Sequence, residues 1–182
     1  MATYIAMLRG INVGGHRLIK MEQLCGSFTA LGCREVRCYV QSGNVVFESR
    51  AGAPCVLSKR IEAKILRDYG FDAPVLVRTA AELACVQGEN PFPKEAGVDP
   101  SRLHVAFLAA IAPAGACELL QGLAAKSERF FVNGREVYLH CPDGYGGTKL
   151  SNTAIEAKLG VTATTRNWKT VNALLAMTSE AG

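Results

Sequence analysis

The 182-residue chain carries 20 Lys and Arg against 16 Asp and Glu, a net charge of +4, with 49% apolar and 20% charged residues. That balance excludes extensive disorder, a fibrous or low-complexity protein, and the concentrated basic stripe of most nucleic-acid binders. The length fits one large domain or two small ones, and folding can bury roughly 70% of the surface that the unfolded chain exposes.

Tyr4 to Arg9 reads as a buried strand. After the glycine loop Gly10-Ile11-Asn12-Val13-Gly14-Gly15, Met21, Leu24, Cys25, Phe28 and Leu31 recur at the spacing of one helical face, which Gly32 stops. Val36, Cys38 and Val40 alternate with polar or amphipathic residues, and Ser42-Gly43 turns the chain into a second strand, Asn44 to Glu48. Pro54 opens a helix that puts Leu57, Ile61 and Ile65 inward and ends at Gly70. A strand over Ala73 to Arg78 follows. Thr79 with Glu82 then makes a capping box for a short helix through Val86. Gly88 to Pro100 is too rich in Pro, Gly and charge for regular structure.

The second half repeats this order. A strand over Leu103 to Ala109 leads to a helix over Ala114 to Ala125, and Asn133-Gly134 joins the strands Arg129 to Val132 and Glu136 to Cys141. Asn-Gly favours a hairpin because both residues tolerate the positive φ of a type I′ turn. Helices over Thr153 to Leu159 and Asn167 to Met177 close the chain, the last with Trp168, Val171 and Leu175 on one face. The layout predicts an α+β fold: two ferredoxin-like (split βαβ) subdomains in tandem, with an extra C-terminal helix. The first subdomain is expected over residues 1–88, a linker over 89–100, and the second subdomain with the C-terminal helices over 101–182. The repetition is topological and not visible as sequence identity.

In that topology the first strand and the first hairpin meet at one edge of a sheet, so Arg9, Gly10, Asn12, Gly14 and Gly15 neighbour Ser42, Gly43 and Asn44. Three glycines allow backbone amides to turn outward as an anion-binding nest; Arg9 adds a bidentate contact and Asn12 a neutral donor. The plainer reading is that the glycines only supply positive φ between strand and helix. Ser42 and Asn44 fit either a ligand or the geometry of a tight turn. Arg166, with Asn167 and Lys169, is expected at the start of the last helix, where it adds a further anion contact. His16 is the histidine placed to reach this edge, whereas His104 and His140 lie on strands among apolar neighbours.

No nucleophile and base pair is evident, so whether the chain is an enzyme stays open, and the glycine spacing matches neither G-x-G-x-x-G nor a Walker motif. The seven cysteines, Cys25, Cys33, Cys38, Cys55, Cys85, Cys117 and Cys141, include no C-x-x-C pair. Zinc and thioredoxin-like chemistry therefore lack their spacing, and no metal or cofactor is expected. The amino terminus shows no secretory signal, and the longest nearly apolar run, 105–115, is too short to span a bilayer. A cytoplasmic, reducing location follows, without membrane association and with free, mostly buried thiols.

Leu8-Arg9-Gly10-Ile11-Asn12-Val13-Gly14-Gly15, Gln41-Ser42-Gly43-Asn44-Val45-Val46-Phe47 and Thr165-Arg166-Asn167-Trp168-Lys169-Thr170-Val171 resemble the hallmarks of a bacterial family of unknown function. Asn90-Pro91-Phe92 and Thr148-Lys149-Leu150-Ser151-Asn152 fit the same pattern, so the resemblance spans nearly the whole chain. It implies a compact cytoplasmic α+β protein of two ferredoxin-like subdomains and brings no substrate, cofactor or catalytic residue. Cys38 departs from the pattern, in which threonine is common at that position, and this argues against a required cysteine there.

Three functions fit these residues. The first is binding of a small anionic, phosphorylated or nucleotide-like, ligand at the two loops. The second is an RNA-binding module, weakened by the absence of its aromatic strand signature. The third is a protein-interaction domain in which the glycine loops are structural.

Overall fold

Every residue from Tyr4 to Leu8 is buried. Such a run, without alternation, belongs to a strand covered on both faces. In the computed structural model, which describes residues 1–50 and 52–179, it lies within β1 (Ala2–Leu8), an inner strand of a four-stranded antiparallel sheet. The sheet is ordered β2-β3-β1-β4, with β2 (Arg34–Tyr39), β3 (Asn44–Ser49) and β4 (Val75–Thr79). Helices α1 (Met21–Ala30) and α2 (Pro54–Tyr69) cover one face. Leu24 and Phe28 of α1 and Leu57, Ile61 and Ile65 of α2 join Tyr4, Ala6, Leu8, Val45 and Phe47 in one core. Pro54 at the first turn and Gly70 at φ 77° bound α2 as expected from the sequence.

A second sheet follows the same plan, ordered β6-β7-β5-β8: β5 (Leu103–Leu108), β6 (Arg129–Asn133), β7 (Glu136–His140) and β8 (Ala163–Asn167). Leu120 of α4 (Ala116–Gln121) and Ile155 and Leu159 of α5 (Asn152–Leu159) pack on it. In sequence, α3 (Ala80–Glu89) and two 3-10 turns, Phe92–Lys94 and Pro100–Arg102, come after β4 and before β5; α6 (Trp168–Ser179) ends the described chain. By contact the chain forms two compact units, Met1–Ala84 with the described part of 173–182, and Cys85–Asn172. Each is a split βαβ arrangement of the ferredoxin-like kind. No helix among the described residues is long and apolar enough to cross a membrane.

Four expectations need correction. The second sheet has a closing strand, β8, where the sequence suggests the start of the last helix; β8 pairs with β5 from His104↔Asn167 to Leu108↔Ala163. Helix α4 has six residues rather than twelve: Gly115, left-handed at φ 77°, starts it late, and it ends at Gln121. The cysteines are neither all free nor mostly buried: Cys25 and Cys38 form a disulfide, while Cys55, Cys85 and Cys117 are exposed. The turn of the second hairpin is Gly134-Arg135 rather than Asn133-Gly134: Asn133 ends β6 paired with Glu136, and of these residues Gly134 alone takes positive φ, at 59°.

The two units share more than topology. Arg78 pairs with Ile5 on β1, and Arg166 pairs with Val105 on β5, at matching register; both arginines are buried. Each is followed by a helix cap. Thr79 and Glu82 exchange the two hydrogen bonds of a capping box, and Asn167 Oδ1 accepts from Thr170 N at 2.8 Å. Leu8 N donates to Gly43 O in the first unit, as Leu108 N does to Arg135 O in the second. An Arg-Thr/Asn step before a cap is thus a sequence trace of the repeat, two residues too short to stand out without the register.

Candidate functional site

The segment after β1 is a miniature hairpin. His16 N donates to Val13 O at 3.0 Å and Asn12 N to Arg17 O at 3.2 Å, with Gly14 and Gly15 at the tip at φ 59° and 78°. Positive φ at both central residues is the signature of a type I′ turn, which glycine adopts without steric cost. Asn12 (φ 55°) and Arg17 (φ 51°) also take the left-handed conformation. Asparagine tolerates it; for arginine it is uncommon and must be imposed by the surrounding structure. Val40, at φ 50° just before the second loop, is a β-branched outlier of the same kind. Among the described residues, three of the four non-glycine residues with positive φ therefore gather at these two loops.

Asn12 explains how the loops are joined. Its Nδ2 donates to Ile19 O at 3.0 Å and to Gln41 O at 2.8 Å, and its Oδ1 accepts from Ile19 N at 2.8 Å. Both amide protons and the oxygen are engaged within the protein. Gly43 supplies the second joint: its carbonyl accepts from Leu8 N at 2.9 Å, and a Cβ there would lie 2.6 Å from Ile11 Cδ1 and 3.0 Å from Leu8 Cβ. Only a residue without a side chain lets Ile11 seat against the turn. Asn44, fully buried, donates from Nδ2 to Ser42 Oγ at 2.8 Å and to Tyr39 O at 3.3 Å, closing the turn from inside.

The two loops thus meet as the topology requires, and the residues selected from the sequence divide between them. Asn12, Gly43 and Asn44 form the frame. Gly14, Gly15 and Ser42 lie on the exposed side, and Arg9 and Gly10 are half-buried where β1 leaves the sheet, with Arg9 N bonded to Pro74 O. Arg166 is not at a helix start: it is a strand residue of the second unit, donating from Nη1 to Thr164 Oγ1 at 2.8 Å and Thr165 O at 2.9 Å. Burial lowers its pKa to about 10, partly opposed by Tyr145.

Arg17 is the residue that sequence reading passed over. Its Nη1 lies 3.6 Å from the Cβ position of Gly10, so the guanidinium folds back over the loop, and among the described residues it has no hydrogen-bond or ion-pair partner. Its signal was the charge pattern: residues 9–20 carry Arg9, His16, Arg17 and Lys20, and neither that segment nor 39–44 holds a carboxylate. His16 is exposed beside the tip. His104 stacks on Tyr145 with ring centroids 4.6 Å apart, and burial lowers its pKa. His140 lies 3.2 Å from Arg129 Nη2. Among the described residues no group of three or more His, Cys, Asp or Glu side chains is placed to hold a metal ion.

Fold and motifs together define an α+β protein of two tandem ferredoxin-like units whose first strand-to-helix loop is locked to its first hairpin. The chain belongs to the family described as "Protein of unknown function (DUF1697)", whose model matches residues 1–138. A similar solved structure, the conserved bacterial protein SP0830 from Streptococcus pneumoniae, is 21% identical with a TM-score of 0.71, covering 97% of this chain and 98% of its own. At that identity the likeness concerns the fold. No curated protein matches the chain.

Proposed function

We propose that the edge formed by residues 9–17 and 41–44 binds a small anionic ligand through a phosphoryl or carboxylate group. Arg9, Arg17 and the outward amides of Gly14 and Gly15 make the contacts, Ser42 and His16 flank them, and Asn12, Gly43 and Asn44 hold the frame. The observation that carries this reading is the coincidence of imposed left-handed backbone at Asn12, Arg17 and Val40 with two cationic or neutral segments, 9–20 and 39–44, that themselves contain no Asp or Glu. Backbone strain of this kind costs of order 1–3 kcal/mol per residue and persists where the surrounding structure holds it. Guanidinium groups and clustered amides are the usual partners of such anions.

The test is thermal melting against a panel of phosphorylated metabolites and nucleotides at constant ionic strength. A ligand at about a hundred times its dissociation constant adds roughly 2.7 kcal/mol, a shift of about 5–10 °C for a chain of this size. Arg17→Ala is expected to abolish the shift while leaving the unliganded melting temperature nearly unchanged.

A second reading, a protein-interaction surface, draws on one observation: Val13, Leu18 and Val40 are 65%, 67% and 51% exposed on these same loops. It is favoured if Val13→Ser or Leu18→Ser dissociates an oligomer and no anion shifts the melt. An RNA-binding sheet face fits less well, because Ile5, Met7 and Val46 on the first sheet's central strands and Val105, Phe107 and Tyr138 on the second's are all buried, leaving no open platform for bases. For location we propose the cytoplasm, which the five free cysteines favour and the single Cys25–Cys38 disulfide opposes.

A further inference from the structure

The end of the first unit opposite these loops holds a cavity of about 290 Å³ whose charged lining is Arg34, Arg50 and Arg60, with no carboxylate. Three separate elements supply them: Arg34 opens β2, Arg50 follows β3, and Arg60 lies on α2. Their convergence is therefore a product of the fold and not of one solvated helix face. Arg60 Nη2 donates to Leu31 O at 3.2 Å, at the carbonyl end of α1, which fixes one guanidinium at the rim. Its charge also reaches the neighbouring Cys33 thiol, opposing the rise in pKa that burial causes there.

On α2 of the same unit Lys64 meets Asp68 at 2.8 Å. Among the described residues none of the three arginines forms an ion pair. Glu48 is the cross-strand neighbour of Arg34, but it does not line the cavity. The floor is open at Gly32, where an added Cβ would meet nothing within 4 Å, and Ser49, buried and paired with Ala2, closes the strand side. Arginine forks match the oxygens of a phosphoryl group in pairs, and three such charges brought together without a counter-ion favour a doubly charged anion over a singly charged one. The volume is just below the roughly 300–1,000 Å³ that drug-sized ligand sites occupy, which suits a small monoester.

We propose that this arginine cavity is a second binding site, for the phosphoryl group of a small phosphate monoester, independent of the site at the loops. Arg34 and Arg60 grip the phosphoryl oxygens, and Arg50 closes over the group from the strand end.

The test is a series of two-dimensional amide NMR titrations of the full chain with inorganic phosphate, glycerol 3-phosphate and glycerol, at constant ionic strength set with chloride. Both phosphates are expected to give saturable shifts at the amides of Gly32, Arg34 and Arg50; glycerol and chloride give none. A monoester site binds glycerol 3-phosphate more tightly, whereas tighter binding of inorganic phosphate reassigns the cavity to the free ion and overturns the monoester assignment. Arg34→Gln and Arg60→Gln, each checked for wild-type spectral dispersion, should weaken binding by about tenfold or more, as loss of a charge-assisted bond requires. Arg60→Lys should recover part of it. Arg17→Ala should leave these shifts unchanged even where it removes any response at residues 13–17, which separates failure here from failure at the loops. Shifts that never saturate, that chloride reproduces, or that persist in both glutamine variants overturn the proposal.

Discussion

Asn12 Nδ2 donates to the carbonyl of Gln41 at 2.8 Å, tying the loop after β1 to the turn between β2 and β3 across 29 residues of sequence. With its two bonds to Ile19, this one amide holds three backbone groups of two loops. Asn12→Ala removes all three bonds and places a Cβ-bearing residue with no compensating polar group at positive φ. The expected loss is about 2 kcal/mol, read as a fall of roughly 4–8 °C in melting temperature. Asn12→Gly relieves the backbone but not the bonds, and should fall between the two.

Gly43 and Ile11 are coupled by contact. Gly43→Ala forces the new Cβ into Ile11 Cδ1, 2.6 Å away, at a φ of 72° that alanine resists. The expected cost in chemical denaturation is about 2–3 kcal/mol, made of backbone strain and overpacking. Ile11→Val shortens the opposing chain and should recover part of the overpacking cost, so the double mutant is more stable than the sum of the single changes requires. Strict additivity would mean that the two side chains do not touch.

Acid should weaken the fold through His104. Burial lowers its folded-state pKa, a hydrogen bond to the backbone of Arg102 partly opposes this, and Tyr145 stacks on the ring. The unfolded histidine takes up its proton as pH falls through about 6.5, while the folded one resists to lower pH. Between those values the unfolded state binds more protons, so stability rises with pH across the window and is lost as pH falls through it. His140, also lowered by burial and by Arg129, adds in the same direction. His104→Gln should flatten the slope of stability against pH below 6.5; an unchanged slope would assign the acid sensitivity elsewhere.

The disulfide between Cys25 and Cys38 joins α1 to β2, the two elements that follow the first loop and precede the second. Thiol titration in denaturant should give five thiols per chain before reduction and seven after. A cross-link closing a loop of this length contributes about 3 kcal/mol, so reduction should lower the melting temperature by roughly 6–12 °C. The state of the pair in cells bears directly on the proposed location.

How much of this was legible in the sequence depended on whether the signal was local. Pro54 and Gly70 and the Thr79 and Glu82 box act within a few residues and are legible in the chain alone, as is a hairpin between β6 and β7, although its turn lies one residue further on than the Asn-Gly signal puts it, at Gly134-Arg135. The meeting of the two loops also followed from topology. Strand β8 was not legible, because Ala163-Thr164-Thr165-Arg166-Asn167 shows no apolar alternation: the side chains it buries include Thr164 and Arg166. Nor was the role of Asn12, since an asparagine in a glycine loop looks the same whether it awaits a ligand or reaches Gln41. Arg17 lay just beyond the glycines that drew attention, and its place over Gly10 depends on a hairpin that only the paired bonds of Asn12 and His16 define.

The anion-binding edge is tested most directly by mapping amide shifts over residues 9–17 and 41–44 during titration with the phosphorylated compound that raises the melting temperature most. Saturable shifts centred on Gly14, Gly15 and Arg17, lost in Arg17→Ala, are the predicted result. No stabilising compound in the panel, or shifts at these amides that survive Arg17→Ala unchanged, would contradict it and leave the loops as a structural joint.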